Sequence, residues 1–523
     1  MATPVPSTSL DKSTENILIS SLLSLSTALG ANLPGKSTRD TLCEVPETGV
    51  VREYWFNVEN TTAAPDDVEM PVQLINGSFP GPTIIADWGD TVVVHFTNSL
   101  QNNGTGLHFH RIRQNWTDGM DGVPSITQCP IASGDSLTYR WRAVGYGTGW
   151  YHSHLYVQAW DGVFGGILIN GPATANYDVD LGHQTTDQLV TQASTGGPLT
   201  APNGLINGTN TYDTNGSRFE TTFEPTVRYW LRIVNAAADN HLRFMIDSHH
   251  LEVIAADFVP IHPYNTTQLS IGMGQRYDVI VTAKNLTSGN FWLRAIPQEA
   301  CSETDAVDNV KGIIRYDSNS TTDPPTFAYG YTDSCADEAS SDLVPYLAIN
   351  ASETYTYDAS KGFRSSGSTQ PCFKLPRATI HGPRSSELSI FQRPINGTYM
   401  AIHSPFAQDH PMHLHGHDFW VLGSGYGEFD SSNPNSLTLV NAPRRDVAMM
   451  PASGYLVIAI KTDNPGAWLM HCHIAWHTSE GFAVQILERE SEIETDYAQL
   501  NSTCANWKSY VNGDDVTQYD SGV

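Results

Sequence analysis

The sequence predicts an all-β protein built as three consecutive Greek-key β-sandwich domains. Three observations carry that prediction. Runs rich in valine, isoleucine, threonine and tyrosine recur along the chain, among them TVVVHFT (91–97), RYDVIVTA (276–283) and YLVIAI (455–460). Such runs fit strands that are half or wholly buried in a sheet. Thirty prolines and 42 glycines punctuate them, as turns between short strands require. The chain also echoes itself. GTGWYHSH (147–154) returns in outline as PGAWLMHCH (465–473), and SGNFWLRAI (288–296) opens the same way without histidines. LHFH (107–110) likewise resembles MHLHGH (412–417). An early and a late copy with histidines, and a middle copy without, imply three units of one design.

In chain order, residues 1–42 read as an N-terminal extension, 43–173 as the first domain, 174–345 as the second and 346–523 as the third. Within the extension, ILISSLLSLSTALGA (17–31) is apolar and ends in small residues, as a secretion signal does, although Asp11, Lys12 and Glu15 precede it where a basic cluster is usual. An apolar N-terminal helix is the alternative. The first joint is expected near NGPATANYD (170–178) and the second in the polar stretch 333–368. No apolar run approaches the ~18 residues of a membrane span. Twelve Asn-x-Ser/Thr sequons, at Asn60, Asn76, Asn103, Asn115, Asn207, Asn215, Asn265, Asn285, Asn319, Asn350, Asn396 and Asn501, point to a secreted, extracellular glycoprotein. The net charge of −27 argues against nucleic acid, whose phosphates would repel it.

The chemistry is concentrated in four clusters: His108/His110, His152/His154, His410/His413/His415 and His471/Cys472/His473/His477. A lone histidine is ordinarily a surface or core residue with a hydrogen-bond partner. Three His-x-His pairs and a His-Cys-His are another matter. In a strand, His-x-His puts both rings on one face, because side chains alternate. Two such pairs from each end domain can converge on one cage, and burying eight imidazoles is costly unless metal or hydrogen bonds satisfy them. A trigonal set of two histidines and a thiolate is the blue-copper arrangement, and Cys472, His477 and the upstream His410 can supply it. A structural zinc site, the plainer reading, closes with four ligands and leaves most of these residues unexplained.

These residues resemble the multicopper oxidase family, and within it the ascomycete-type laccases. All four family motifs stand in the chain: HFHRIRQNWTDGMDGVPSITQCPI (108–131), GTGWYHSHLYVQAWDGVFGGILING (147–171), HPMHLHGH (410–417) and HCHIAWHTSEGFAVQILE (471–488), with NGSFPGPTI (76–84) ahead of them. The resemblance implies cupredoxin-like domains and four coppers per chain. Type 1 copper is expected on His410, Cys472 and His477, and type 2 on His108 and His413. One type 3 copper is expected on His110, His152 and His473, the other on His154, His415 and His471. Phe482 would hold the axial position of type 1 copper without coordinating it. Asp118 would assist proton supply at the cluster, and Asp239 would accept the proton of a phenol, as a general base. Cys472 would also carry electrons. Arg111 departs from the family's glycine after the first His-x-His. Ser153 fills the slot that Cys472 fills in the last domain, so the first domain cannot build a thiolate site.

The implied activity is one-electron oxidation of phenols coupled to four-electron reduction of O2 to water, by a monomer. Lignin phenols, melanin precursors, defence phenolics and pigment intermediates all remain open as substrates. Alternatives are a metallo-oxidase such as a ferroxidase, an ascorbate oxidase, and a non-catalytic copper carrier. The last would not need the eight-histidine cluster. The C-terminal DSGV (520–523) resembles the tail that plugs the channel to the cluster. The family pattern also implies disulfides Cys129–Cys504 and Cys301–Cys335. Cys43 and Cys372 are left over and are open to pairing or to one free thiol.

Overall fold

The computed structural model describes residues 44–187, 203–302, 304–351, 387–392, 398–430, 436–479, 481–494 and 497–513. The N-terminal extension, Cys43, Cys372 and the C-terminal DSGV lie outside them. The described residues form three β-sandwiches in succession. In the first, a four-stranded sheet runs in the spatial order Met70–Ile75, Val51–Ala63, Thr91–Asn98, Ser136–Arg142, and it faces a second four-stranded sheet ordered Gly81–Asp87, Phe164–Asn170, Gly147–Ser153, Leu107–His110. Parallel pairing of Val51–Ala63 with Thr91–Asn98, and of Gly81–Asp87 with Phe164–Asn170, shows strands crossing between the two layers. The alternation foreseen in the sequence is visible in Ser136–Arg142, where Leu137, Tyr139 and Trp141 are buried and Ser136 and Arg140 are exposed. These buried side chains meet Leu107, Phe109, Tyr151 and Ile167 of the facing sheet in one core. Each fully buried side chain of this kind contributes about 1.5–3 kcal/mol.

The second sandwich packs a six-stranded sheet against a five-stranded one. Its core joins Leu231, Val253 and Val279 from one face to Phe244, Leu293 and Ile314 from the other. The third has a five-stranded sheet that includes Gly454–Ile460, against a four-stranded sheet ordered Val447–Met450, His410–Leu414, Gly466–Cys472, Ala483–Glu488. Its core is not its own. Val157 and Trp160 from the first sandwich and Ala238 and Met273 from the second pack into the same cluster as Met412, Trp468 and Cys472. The sandwiches are therefore fused through apolar contacts at the place where the histidines lie.

Pairing register brings those histidines together. Leu107–His110 lies antiparallel to Gly147–Ser153 with His108 opposite His152. In the third sandwich His410–Leu414 lies antiparallel to Gly466–Cys472 with His413 opposite His471. Directly opposed residues share a face, so each pair of strands offers a patch of imidazoles.

Beyond the third sandwich, the helix Tyr497–Gly513 returns to the first. Trp507 packs on Cys129 and Ala132, and Cys504 is disulfide-bonded to Cys129 across 375 residues of chain. Cys301 and Cys335 form the second disulfide. Both match the pairings implied by the resemblance. Among the described residues Cys472 is the only free cysteine, and no helix is long and apolar enough to cross a membrane. A cross-link that closes so long a loop restricts the unfolded chain strongly. Cys504→Ser is expected to remove about 2–5 kcal/mol of stability, read as a lower denaturation midpoint.

Candidate metal centre

His410, Cys472 and His477 come from three neighbouring places: the start of one strand, the end of the next, and the short helix Ala475–Ser479 that follows it. Their donor atoms all lie within 4.8 Å of one another. Cys472 Sγ is 3.4 Å from His477 Nδ1 and 3.7 Å from His410 Nδ1. Cys472 is fully buried and His410 nearly so, at 0 % and 2 % exposure, whereas His477 is half-buried. Burial pushes the thiol well above its usual range and the imidazoles of His410 and His477 down, to about 3 and about 4. Without a cation the site therefore holds neutral imidazoles and a protonated thiol. A bound metal ion would reverse the thiol's preference, because the thiolate is the ligand. Phe482 sets its ring edge-on to His410 with centroids 4.9 Å apart and offers no donor atom.

The second assembly takes histidines from both end sandwiches. His154, His415 and His471 have their donor atoms within 4.8 Å of one another, as do His108, His413 and His415, and His108, His110 and His152. His473 joins them, with ring centroids 5.1 Å from His110 and 5.7 Å from His152. Burial drives the pKa of His110, His152, His154, His413, His415 and His473 well below the ordinary value, and the neighbouring imidazoles reinforce this for all six. All are thus neutral and carry lone pairs.

Backbone and carboxylate oxygens occupy one ring nitrogen and leave the other for a metal. His108 Nδ1 faces Asp121 O at 2.8 Å, His413 Nδ1 faces Asp446 O at 2.8 Å and His152 Nδ1 faces Ser153 O at 2.9 Å. The Nε2 atoms of these three are buried without a hydrogen-bond partner, as are both ring nitrogens of His473. Buried nitrogens left open in this number fit metal ligation and little else. The donor set, imidazole throughout with one thiolate, suits copper.

Two carboxylates that touch the histidines were missed in the sequence. Asp121 places Oδ2 2.8 Å from His415 Nδ1 and Oδ1 3.3 Å from His108 Nδ1. Asp446 places Oδ2 3.1 Å from His110 Nε2 and 3.7 Å from His413 Nδ1. The first motif holds two Asp-Gly steps, at Asp118 and Asp121, and the second touches the ligand histidines. Gly122 is the reason. It has φ +82° and lies so close to Leu107 O that no side chain fits, which locks Asp121 beside the histidine strand. Asp118 is buried one turn earlier and accepts the Asp121 N–H at 2.9 Å.

Asp239 is buried on the loop after Arg228–Asn235, and its charge raises the Cys472 thiol further. The same loop binds the helix of His477, through Ala475 N–H to Ala238 O at 3.0 Å. Arg111 adopts φ +80°, where glycine is at ease. Its guanidinium donates to Asp257 O at 2.9 Å and lies 3.8 Å from Asp418, which holds the residue there. Ser153 donates to Gln158 Oε1 at 2.8 Å, a plain structural hydrogen bond at the position equivalent to Cys472.

Comparison with known proteins agrees with this chemistry. Family models described as multicopper oxidase match residues 57–174, 157–319 and 390–492. Laccase-1 of Botryotinia fuckeliana is 46 % identical over 512 residues, covering 92 % of this chain and 90 % of that protein. Dihydrogeodin oxidase of Aspergillus terreus is 37 % identical, covering 92 % of each. The crystal structure of the laccase from Botrytis aclada superposes with a TM-score of 0.82 at 39 % identity, over 92 % of this chain and 96 % of that one. The chain belongs to the multicopper oxidase family, in its fungal laccase-type branch.

Proposed function

We propose that the protein is a secreted, monomeric laccase that oxidises phenolic arenes at a type 1 copper on His410, Cys472 and His477 and reduces O2 at a trinuclear centre. We assign type 2 copper to His108 and His413, and the type 3 pair to His110, His152 and His473 and to His154, His415 and His471. When bound, the coppers supply one-electron oxidation of the substrate and four-electron reduction of O2 to two waters. The observation that carries this reading is the position of Cys472. Its thiol lies with His410 and His477, while its covalent neighbours His471 and His473 lie among the clustered imidazoles. A strand that alternates faces connects the two sites by bonds alone.

The chain's own groups then divide the work. His477 is the half-buried ligand of the mononuclear site and presents the edge that a substrate can reach. Phe406, 40 % exposed, stands 6.4 Å from His410 between ring centroids and offers an arene a ring to pack on, while Trp476 and Phe482 pack into the core behind the site. Asp239, on the loop bonded to the His477 helix, accepts the phenolic proton as the electron leaves. Asp121 holds the Nδ1 atoms of His108 and His415, so it stands beside Asp118 as a carboxylate that can relay protons toward the cluster. Phe482, edge-on to His410 and without a donor atom, would leave a copper here to His410, Cys472 and His477, and a site lacking a thioether ligand would favour Cu(I) and a higher potential.

Oxygen uptake by copper-loaded protein across a methoxyphenol, ascorbate and Fe(II) tests the reading. Consumption is expected with the phenol, and none with any phenol would overturn it. Cys472→Ser is expected to abolish the blue absorption and turnover while copper stays bound at the histidine cluster, as metal analysis would show. Asp239→Asn should lower kcat/KM for a phenol about 100-fold, with a much smaller change for ferrocyanide, which carries no proton to lose. In the metal-free protein His410 and His477 titrate near 3 and 4, below the ordinary 6.5. The unfolded chain therefore binds more protons across that interval. Their contribution to stability is complete above about pH 6.5 and is lost as the pH falls through 4 and 3. Chemical denaturation of the metal-free protein at pH 7 and pH 5 checks the sign.

A further inference from the structure

The middle sandwich contributes none of the clustered histidines, yet one of its side chains reaches their edge. Arg276 is fully buried at the start of Arg276–Thr282. Its guanidinium grips Asp446 with two bonds, Nη2 to Oδ1 at 2.7 Å and Nη1 to Oδ2 at 3.1 Å. Nε donates to Thr148 O at 3.3 Å, on the strand that carries His152. Nη1 also donates to Gly274 O at 2.8 Å. Gly274, at φ +79°, lies flat against His473, and a Cβ there would sit 2.9 Å from the ring. Asp257 holds the arginine from behind, accepting its backbone N–H at 2.7 Å. One guanidinium thus touches all three sandwiches.

Asp446 in turn faces two rings at once. His110 and His413 are stacked, 3.9 Å between centroids and 10° from parallel, one from each end sandwich. The carboxylate lies 3.1 Å from Nε2 of the first, and the backbone carbonyl of the same residue accepts from Nδ1 of the second at 2.8 Å. His413 Nε2 and both nitrogens of His110 are buried without a hydrogen bond, and with the Asp446 carboxylate beside His110 Nε2, Nδ1 of His110 and Nε2 of His413 are the atoms left for a metal. Asp446 therefore decides which nitrogen of each ring is presented, by its carboxylate at His110 and by its backbone carbonyl at His413, as outer partners of metal ligands do. A carboxylate with no exposure keeps its charge and orientation only while a cation fixes it, and a planar bidentate fork fixes both.

We propose that Arg276 is a positioning residue for the trinuclear centre: through Asp446 it sets the metal-facing nitrogens of His110 and His413, so the copper-free sandwich governs copper retention at the seam. This rests on the copper assignment above. The mononuclear site lies in the same sandwich as Asp446 but outside this clamp, which makes the effect selective.

The test uses full-length protein carrying Arg276→Lys, which keeps the charge and loses the fork, and Asp446→Asn, which keeps the shape and loses the charge. Copper per chain, the type 2 signal in electron paramagnetic resonance, the near-ultraviolet type 3 band and the blue type 1 band are read for each. Both variants are expected to hold copper at the cluster about 10–100-fold more weakly, with the blue band per chain unchanged. Parental copper content with an unaltered type 2 signal would overturn the proposal. So would parallel loss of the blue band, because it would reveal a general structural role. If Arg276→Lys does not fold, Asp446→Asn decides by the same readings. If the parent protein itself shows no type 2 or type 3 signal, the copper assignment fails first, and that result is seen before any variant is compared.

Discussion

Everything in this protein is arranged around the burial of imidazoles in the seam between its sandwiches. A neutral imidazole taken from water loses its hydrogen bonds at both nitrogens, and leaving one unsatisfied costs about 1–3 kcal/mol. Here Nε2 of His108, His152 and His413 and both ring nitrogens of His473 are buried without partners. A single sandwich cannot tolerate such a cluster in its core. Set between sandwiches, it is bounded on every side by rigid strands and is closed by metal. The shared apolar cluster of Trp160, Ala238, Met273, Trp468 and Cys472 supplies the cohesion that the polar seam lacks.

The middle sandwich earns its place through charge. Arg276, Asp257, Arg445 and Asp446 form an alternating, fully buried network, with Arg445 Nε to Asp257 Oδ2 at 2.7 Å and Arg276 Nη2 to Asp446 Oδ1 at 2.7 Å. Removing one member of such a network strands its partner, which is why buried pairs are strongly destabilising to break even when they add little net stability. The network lies directly behind the ring nitrogens of His110 and His413, so the same interactions that join the sandwiches also orient the ligands. Structure and site cannot be separated here.

Two strands of the same design show how little is needed to change function. In the first sandwich Ser153 stands between His152 and His154 and donates to Gln158. In the third, Cys472 stands between His471 and His473 and faces His410 and His477. The flanking histidines face the seam in both. The residue between them, together with His410 and His477 in the third sandwich, separates a strand face that is core from one that forms a second metal site joined to the first by covalent bonds.

The sequence by itself determined the sheet-forming runs, the all-β class and the histidine pairs. Strand periodicity is local, and His-x-His needs only the period of two to put both rings on one face. It also carried the two disulfides, through the family pattern rather than through spacing. What tertiary structure alone decided was the environment of each group. Asp118 and Asp121 both precede glycine in one motif, and nothing local separates them. Only the close approach of Gly122 to Leu107 brings the second against His108 and His415. Asp446 and Arg276 are 170 residues apart and belong to different sandwiches. Their pairing exists only once three sheets have packed, because a guanidinium finds its carboxylate through the whole fold and not through the chain.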